Sequence, residues 1–174
     1  MKPAVSISLI AAGAFAATLI ATLAASPVTA GPKEGSIARG RYLVQTAACN
    51  DCHTPGYAEK AGKIPESQWL TGDHIGWRGE WGTTYPPNLR LYFQRMSEDG
   101  FIADARSGRM LPPMPWFNLA DMTDDDLRAI HRYVRSLGAA GEPVPAYVPP
   151  GQEPLTAYFD FTPKAPKPAT ASVN

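Results

Sequence analysis

The chain has 174 residues, 44% of them hydrophobic, with 16 basic against 16 acidic side chains and only two cysteines. That length fits one domain with appendages; zero net charge without blocks of like charge excludes a global pull toward nucleic acid, and two cysteines exclude a disulfide framework. Twenty of the first 30 residues are hydrophobic, so the remaining 144 are only about 40% hydrophobic, a lean supply for a core.

After Lys2 no charge appears until Lys33, and an apolar run from Ala4 to Ala25 is followed by small residues at Val28-Thr29-Ala30. Residues 1–30 therefore read as a signal peptide cleaved after Ala30, which exports the rest to the periplasm. The run also approaches the length of a bilayer span, so an uncleaved anchor is the competing reading and the only route to a membrane. Residues 31–138 form the predicted domain. Its first helix runs from Ser36, the cap, to about Ala48, with Ile37, Gly40, Leu43, Val44 and Ala47 at helical spacing.

From Pro55 to Pro87 no period is sustained, and six glycines punctuate a stretch that carries Trp69, Trp77, Trp81 and Tyr85. A loop this long inside a compact domain is usually functional or organised by something it wraps. A second helix starts at Ser97, with Met96 stapling onto Phe101, and ends at Gly108. The third is capped by Thr123 with Asp126 completing a capping box; Leu127, Ile130, Val134 and Leu137 line one face and Arg128, Arg132 and Arg135 another. Asp124 and Arg128 are spaced for an ion pair, and the arginine stripe reads as a solvated face or, more sharply, as a dock for an acidic partner. Eight of the 18 prolines then fall between Pro143 and Pro168, which predicts an extended strap over 139–163, anchored by Tyr147, Tyr158, Phe159 and Phe161, and a disordered tail over 164–174.

Cys49-Asn50-Asp51-Cys52-His53 is a C-x-x-C-H haem-attachment motif. Two thiols one helical turn apart can form thioethers with the two vinyl groups of a haem edge, and the adjacent imidazole can bind iron from below. A thioredoxin-like pair would need a βαβ context, zinc would need two further ligands at suitable spacing, and a plain disulfide leaves His53 unexplained. Candidates for a sixth iron ligand are Met96, Met110, Met114, Met122, His74 and His131. Met96 and Met122 serve as helix staples, and His131 lies near the apolar face of the last helix. Met114, in Pro112-Pro113-Met114-Pro115-Trp116, sits in a stiffened loop that lowers the entropy of holding a thioether against iron; Met110 is the next choice.

The stretch from about Ser36 to Leu137 resembles a class I c-type cytochrome in its helix leading into the C-x-x-C-H motif, its Pro-flanked Met114 and its closing helix around Tyr133. Arg39-Gly40-Arg41-Tyr42-Leu43, Gly82-Thr83-Thr84-Tyr85-Pro86-Pro87-Asn88-Leu89 and Pro112-Pro113-Met114-Pro115-Trp116 are similar, more narrowly, to the cytochrome domains of periplasmic dehydrogenase subunits. The resemblance implies an all-α cytochrome c fold of three to four short helices and long loops wrapped around one covalently bound haem c. It further implies that first and last helices pack face to face, with Gly40 permitting close approach and Tyr133 or Leu137 filling the contact. His53 and Met114 would ligate iron, Trp81, Tyr85 and Asn88 would meet the haem propionates, and the Pro65 carbonyl would orient His53. Those subunits carry three such domains and a membrane-binding helix, whereas one motif here implies a free-standing carrier or small accessory subunit.

The expected function is electron transfer without a substrate of its own, between a periplasmic dehydrogenase as donor and an oxidase or another cytochrome as acceptor. A small haem enzyme such as a peroxidase, or a gas sensor, with an open sixth site is the alternative. An exported binding module closed by a disulfide is the non-redox reading.

Overall fold

The computed structural model describes residues 33–166. The export segment read at 1–30 and most of the tail read from Lys164 lie outside the described residues. Helix α1 (Ile37–Thr46) begins where the Ser36 hydroxyl accepts from the Arg39 amide at 3.0 Å, and α6 (Asp124–Ser136) begins where Thr123 accepts from the Asp126 amide at 3.1 Å. The two helices meet at Gly40, where an added Cβ would lie 2.5 Å from the Ala129 carbonyl carbon and 2.7 Å from the Tyr133 Cβ. Close approach therefore depends on the missing side chain. Leu43 and Val44 of α1 are buried with Leu127, Ile130, Tyr133 and Val134 of α6. Phe93 from α3 (Leu89–Arg95) and Phe101 from α4 (Glu98–Arg106) complete this core, their rings edge-to-face with centroids 4.7 Å apart.

Polar side chains at the helix surfaces reach farther than sequence spacing implies. The Asp126 carboxylate does not close a local capping box; it accepts from Arg39 at 2.8 and 3.1 Å, joining α1 to α6. Arg128 pairs with Glu98 and Asp99, while Asp124 pairs with Arg106, so the expected Asp124–Arg128 pair is replaced by contacts between helices. Arg132 also grips Glu98 and the Gly35 carbonyl, and Arg135 donates to the Phe93 and Gln94 carbonyls at the end of α3. Arg132 and Arg135 of the arginine stripe are exposed, as the solvated-face reading expects, yet their guanidinium groups are committed to partners within the chain. The stripe clasps α4, α3 and the α1 approach onto α6.

Arginines likewise close two other helices from outside. Arg106 caps α5 (Trp116–Ala120) by donating to Leu119 and Ala120, and Arg90 donates to Leu137 and Gly138 at the end of α6. Guanidinium donors satisfy end carbonyls that have no partner within their own helix and suit the negative pole of the helix dipole.

The all-α expectation is corrected. Described residues hold six α-helices rather than three or four, a 3₁₀ turn at Glu66–Gln68, and a small sheet. Strands β1 (Gly76–Gly79) and β2 (Gly82–Thr84) form an antiparallel hairpin that pairs Trp77 with Thr84. Strand β3 (Tyr158–Asp160), inside the Pro-rich strap, pairs parallel to β1 and leaves the order β2-β1-β3. The strap holds no central strand, as its prolines require, but between Pro154 and Pro163 it spares enough residues for an edge one. Its anchors act as expected: Tyr147 donates to the Trp81 carbonyl at 2.6 Å, and Phe159 and Phe161 stack against Trp77 with centroids 5.3 and 5.2 Å away. Among the described residues no helix is long and apolar enough to cross a membrane.

Candidate functional site

Ala48, held at φ 59°, turns the chain sharply out of α1 and into a one-turn helix, α2 (Cys49–His53). The motif expected where a helix ends is itself this separate turn, and its spacing puts both thiols on one side of it. Cys49 and Cys52 are unbridged and half-buried. Burial pushes the Cys49 thiol up to about 11; Cys52 is also raised, by burial and then by the Asp51 charge, so both are neutral thiols at neutral pH.

His53 is only 6% exposed, and its Nδ1 lies 2.9 Å from the Pro87 carbonyl. Burial holds the imidazole pKa down against the opposing effect of that hydrogen bond, which favours the neutral ring. Donation from Nδ1–H to the carbonyl leaves the lone pair on Nε2. Pro87, rather than the expected Pro65, therefore orients the ring; the Pro65 carbonyl instead closes the 3₁₀ turn by accepting from the Gln68 amide at 2.9 Å.

A buried relay behind the ring was not visible in the sequence. Thr54 donates to Asn50 Oδ1 at 2.8 Å and accepts from the Leu70 amide at 2.8 Å, while the His53 carbonyl accepts from the Gly72 amide at 2.9 Å. Asn50, Thr54 and Leu70 are at most 1% exposed, and Leu70 is held at φ 61° between bonds at its amide and its carbonyl. No residue pattern marks such a relay: asparagine and threonine spaced by four occur on many helices for other reasons. The same loop is fastened to the helices by Glu66, which accepts from Tyr133 at 2.6 Å and from Arg41 at 3.0 Å.

Met114 stands on the loop between α4 and α5, half-buried against the core. Thr84 of β2 donates to the Pro112 carbonyl at 2.7 Å, and the Trp116 amide donates to the Met114 carbonyl at 2.9 Å, so the loop is held at both ends. Met110 has a similar half-buried setting. His131 is committed elsewhere: buried on α6, it places Nε2 2.7 Å from the Met96 carbonyl. His74 is exposed.

The three residues expected at the propionates have other partners. Asn88 caps α3 through Oδ1 at 3.1 Å from the Leu91 amide and donates through Nδ2 to the Ala140 and Glu142 carbonyls at 2.8 and 3.1 Å. Tyr85 shares a 2.9 Å hydrogen bond with Thr156, and Trp81 Nε1 makes a long 3.3 Å contact to the Trp77 carbonyl. Only Trp81 keeps a loosely held donor. The strap, whose path the sequence does not reveal, takes the polar atoms of the other two.

Zinc and disulfide chemistry find no support here, since among the described residues no three metal-binding side chains cluster and the cysteines are not joined. A haem fits the donor set: two free thiols one turn apart, beside an imidazole fixed through Nδ1 with Nε2 available. The cytochrome c family model matches residues 37–138, which spans the motif, the Met114 loop and both crossing helices. The chain belongs to the cytochrome c family. As a cytochrome c it has the fold of that family around a covalently bound haem c, and it functions in electron transfer.

The cytochrome is 29% identical, over 61% of its length, to the cytochrome c subunit of a quinone-type alcohol dehydrogenase from Gluconobacter oxydans (strain 621H). It is 31% identical, over 59% of its length, to the cytochrome c subunit of gluconate 2-dehydrogenase from Pantoea cypripedii. It spans only 25% and 26% of those two proteins. No solved structure matches it.

Proposed function

We propose that this cytochrome is an exported, periplasmic one-haem carrier that passes single electrons from a dehydrogenase to an oxidase or another cytochrome. The observation that carries this reading is His53, buried at the end of the Cys49–Cys52 turn with Nδ1 held by Pro87 and Nε2 left for iron. Haem c supplies a one-electron ferric/ferrous couple. Cys49 and Cys52 would hold it through thioethers and His53 would ligate its iron, the ring orientation kept by the Pro87 carbonyl. Met114, on a loop pinned through Thr84, would supply the sixth ligand. Held by a histidine and a methionine, the iron would have no open position, which would suit transfer rather than oxygen chemistry.

Export is supported by the Lys2-to-Ala30 segment, and a dehydrogenase donor by the kinship with two dehydrogenase cytochrome subunits. Encounters with such partners use small, weak interfaces. Spectra of the protein, oxidised and reduced, with and without carbon monoxide, test the reading. Closed axial sites predict no rapid carbon monoxide binding in the reduced protein and rapid binding after Met114→Ala. Stoichiometric binding by the unaltered protein would favour the peroxidase or gas-sensor alternative, and an unchanged spectrum in Met114→Ala would remove Met114 from the iron.

A further inference from the structure

Arg90 is 4% exposed and, among the described residues, has no carboxylate within ion-pair distance. Its guanidinium donates to four backbone carbonyls: those of Leu137 and Gly138 at the end of α6, and those of Ser67 and Trp69, at 3.3 and 3.4 Å. Burial lowers its pKa, but guanidinium stays protonated in proteins, so the molecule holds a fixed interior cation offset only by carbonyl dipoles. Arg106 and Arg135 cap their helices from exposed positions, and Arg106 also reaches Asp124, so Arg90 stands apart from them.

Its position links it to the wall behind His53. The Arg90 amide donates to the Leu70 carbonyl at 3.2 Å; the Leu70 amide in turn donates to Thr54, the residue after His53. Three positions before Arg90, the Pro87 carbonyl holds Nδ1. The segment whose Pro87 holds the imidazole and the Leu70 segment bonded to Thr54 therefore both meet at Arg90.

We propose that Arg90 is a built-in positive charge that raises the reduction potential of the haem centre, in addition to joining the ends of three segments. The inference rests on the reading of His53 as the iron ligand. Oxidation releases one electron to the acceptor and leaves one more positive charge at the centre, and a buried cation nearby disfavours that state. At an effective dielectric of about 20, one unit charge in the interior shifts such an equilibrium by roughly tenfold. For a one-electron couple a tenfold change is about 59 mV.

Redox titration of the holoprotein and of Arg90→Gln, Arg90→Lys and Arg135→Gln tests this, each at low and high salt. Arg90→Gln should lower the midpoint potential by about 59 mV at either salt concentration, because a buried charge is poorly screened. Arg90→Lys should keep most of the original value, and Arg135→Gln should change it little. The proposal is overturned if Arg90→Gln keeps the parent spectrum and potential, or if Arg90→Lys falls as far as Arg90→Gln, which would make geometry rather than charge the cause. Absence of a haem spectrum in the parent protein would instead defeat the underlying functional reading.

Discussion

Gly40→Ala is expected to destabilise the protein although alanine is the better helix former. The new methyl would sit 2.7 Å from the Tyr133 Cβ and 2.5 Å from the Ala129 carbonyl carbon, with the carbonyl oxygen closer still. Carbon–carbon contacts settle near 3.5–4.0 Å, so α1 and α6 must part by about 1 Å, and a gap of that size forfeits roughly a quarter to a half of each dispersion contact across the seam. Overpacking of this kind costs about 1–3 kcal/mol, and helix propensity returns at most about 1 kcal/mol. Because the obstruction is backbone and cannot swing aside, a net loss of about 2 kcal/mol is expected, or a fall of roughly 4–8 °C in melting temperature for a chain of this size. Gly100→Ala in α4 is the control: there the methyl meets the Met96 sulfur at 2.8 Å, the end of a flexible side chain, and stability should hold or rise slightly. Thermal and denaturant unfolding of both holoproteins gives the comparison. A Gly40→Ala protein as stable as the parent would refute the close-approach argument.

Asp126→Asn should cost about 1–2 kcal/mol at neutral pH by breaking the two-pronged Arg39 contact. The hydrogen bond from Arg39 holds the Asp126 carboxyl below its ordinary 3.8, so its contribution is fully present above that pH and is lost as pH falls through the depressed folded value. Denaturant melts of parent and variant should therefore converge on acidification below about pH 4, and a gap that persists there would discount the ion pair. Thr54→Val leaves the Leu70 amide and Asn50 Oδ1 unpartnered in the interior, and a loss of about 2–4 kcal/mol in urea unfolding is expected; a loss under 1 kcal/mol would mean that the relay is satisfied in another way. Protein carrying Cys49→Ala and Cys52→Ala, prepared without haem, should be readily proteolysed and lack a cooperative thermal transition, because the lean core is completed by the cofactor. Native-like protease resistance in that protein would overturn this.

Helices that carry their own signals were legible. Ser36, Ser97 and Thr123 each cap the helix expected after them, and α6 buries the apolar stripe read from its spacing. The attachment turn was legible because two thiols and an imidazole within five positions suit one chemistry. Helix α3 was hidden because it opens on Asn88 directly after a proline pair and runs for only seven residues. The hairpin was hidden because Gly76 and Gly79 take half of the positions of β1 and Gly82 opens β2, leaving Trp77, Thr83 and Thr84 to carry the strand tendency. Side-chain partners were the least readable. Asp126 and Arg128 look local in sequence, yet tertiary contacts offered them better-placed partners in Arg39, Glu98 and Asp99. Pro87 reaches His53 because the β2-to-α3 segment returns to the motif, a long-range closure that no local pattern encodes.

The crossing of α1 and α6 also bears on the order of assembly. The attachment turn ends at His53, whereas the helix that α1 packs against starts at Asp124, so during synthesis the cysteines emerge about seventy residues before the partner helix. Covalent joining can thus take place on an open chain, before α1 and α6 have met. Closing so long a segment is entropically costly and slow for a bare polypeptide. A centre already bonded at residues 49–53 gives the intervening loops a nearby apolar surface on which to condense, so α6 arrives to complete a fold that is already partly gathered.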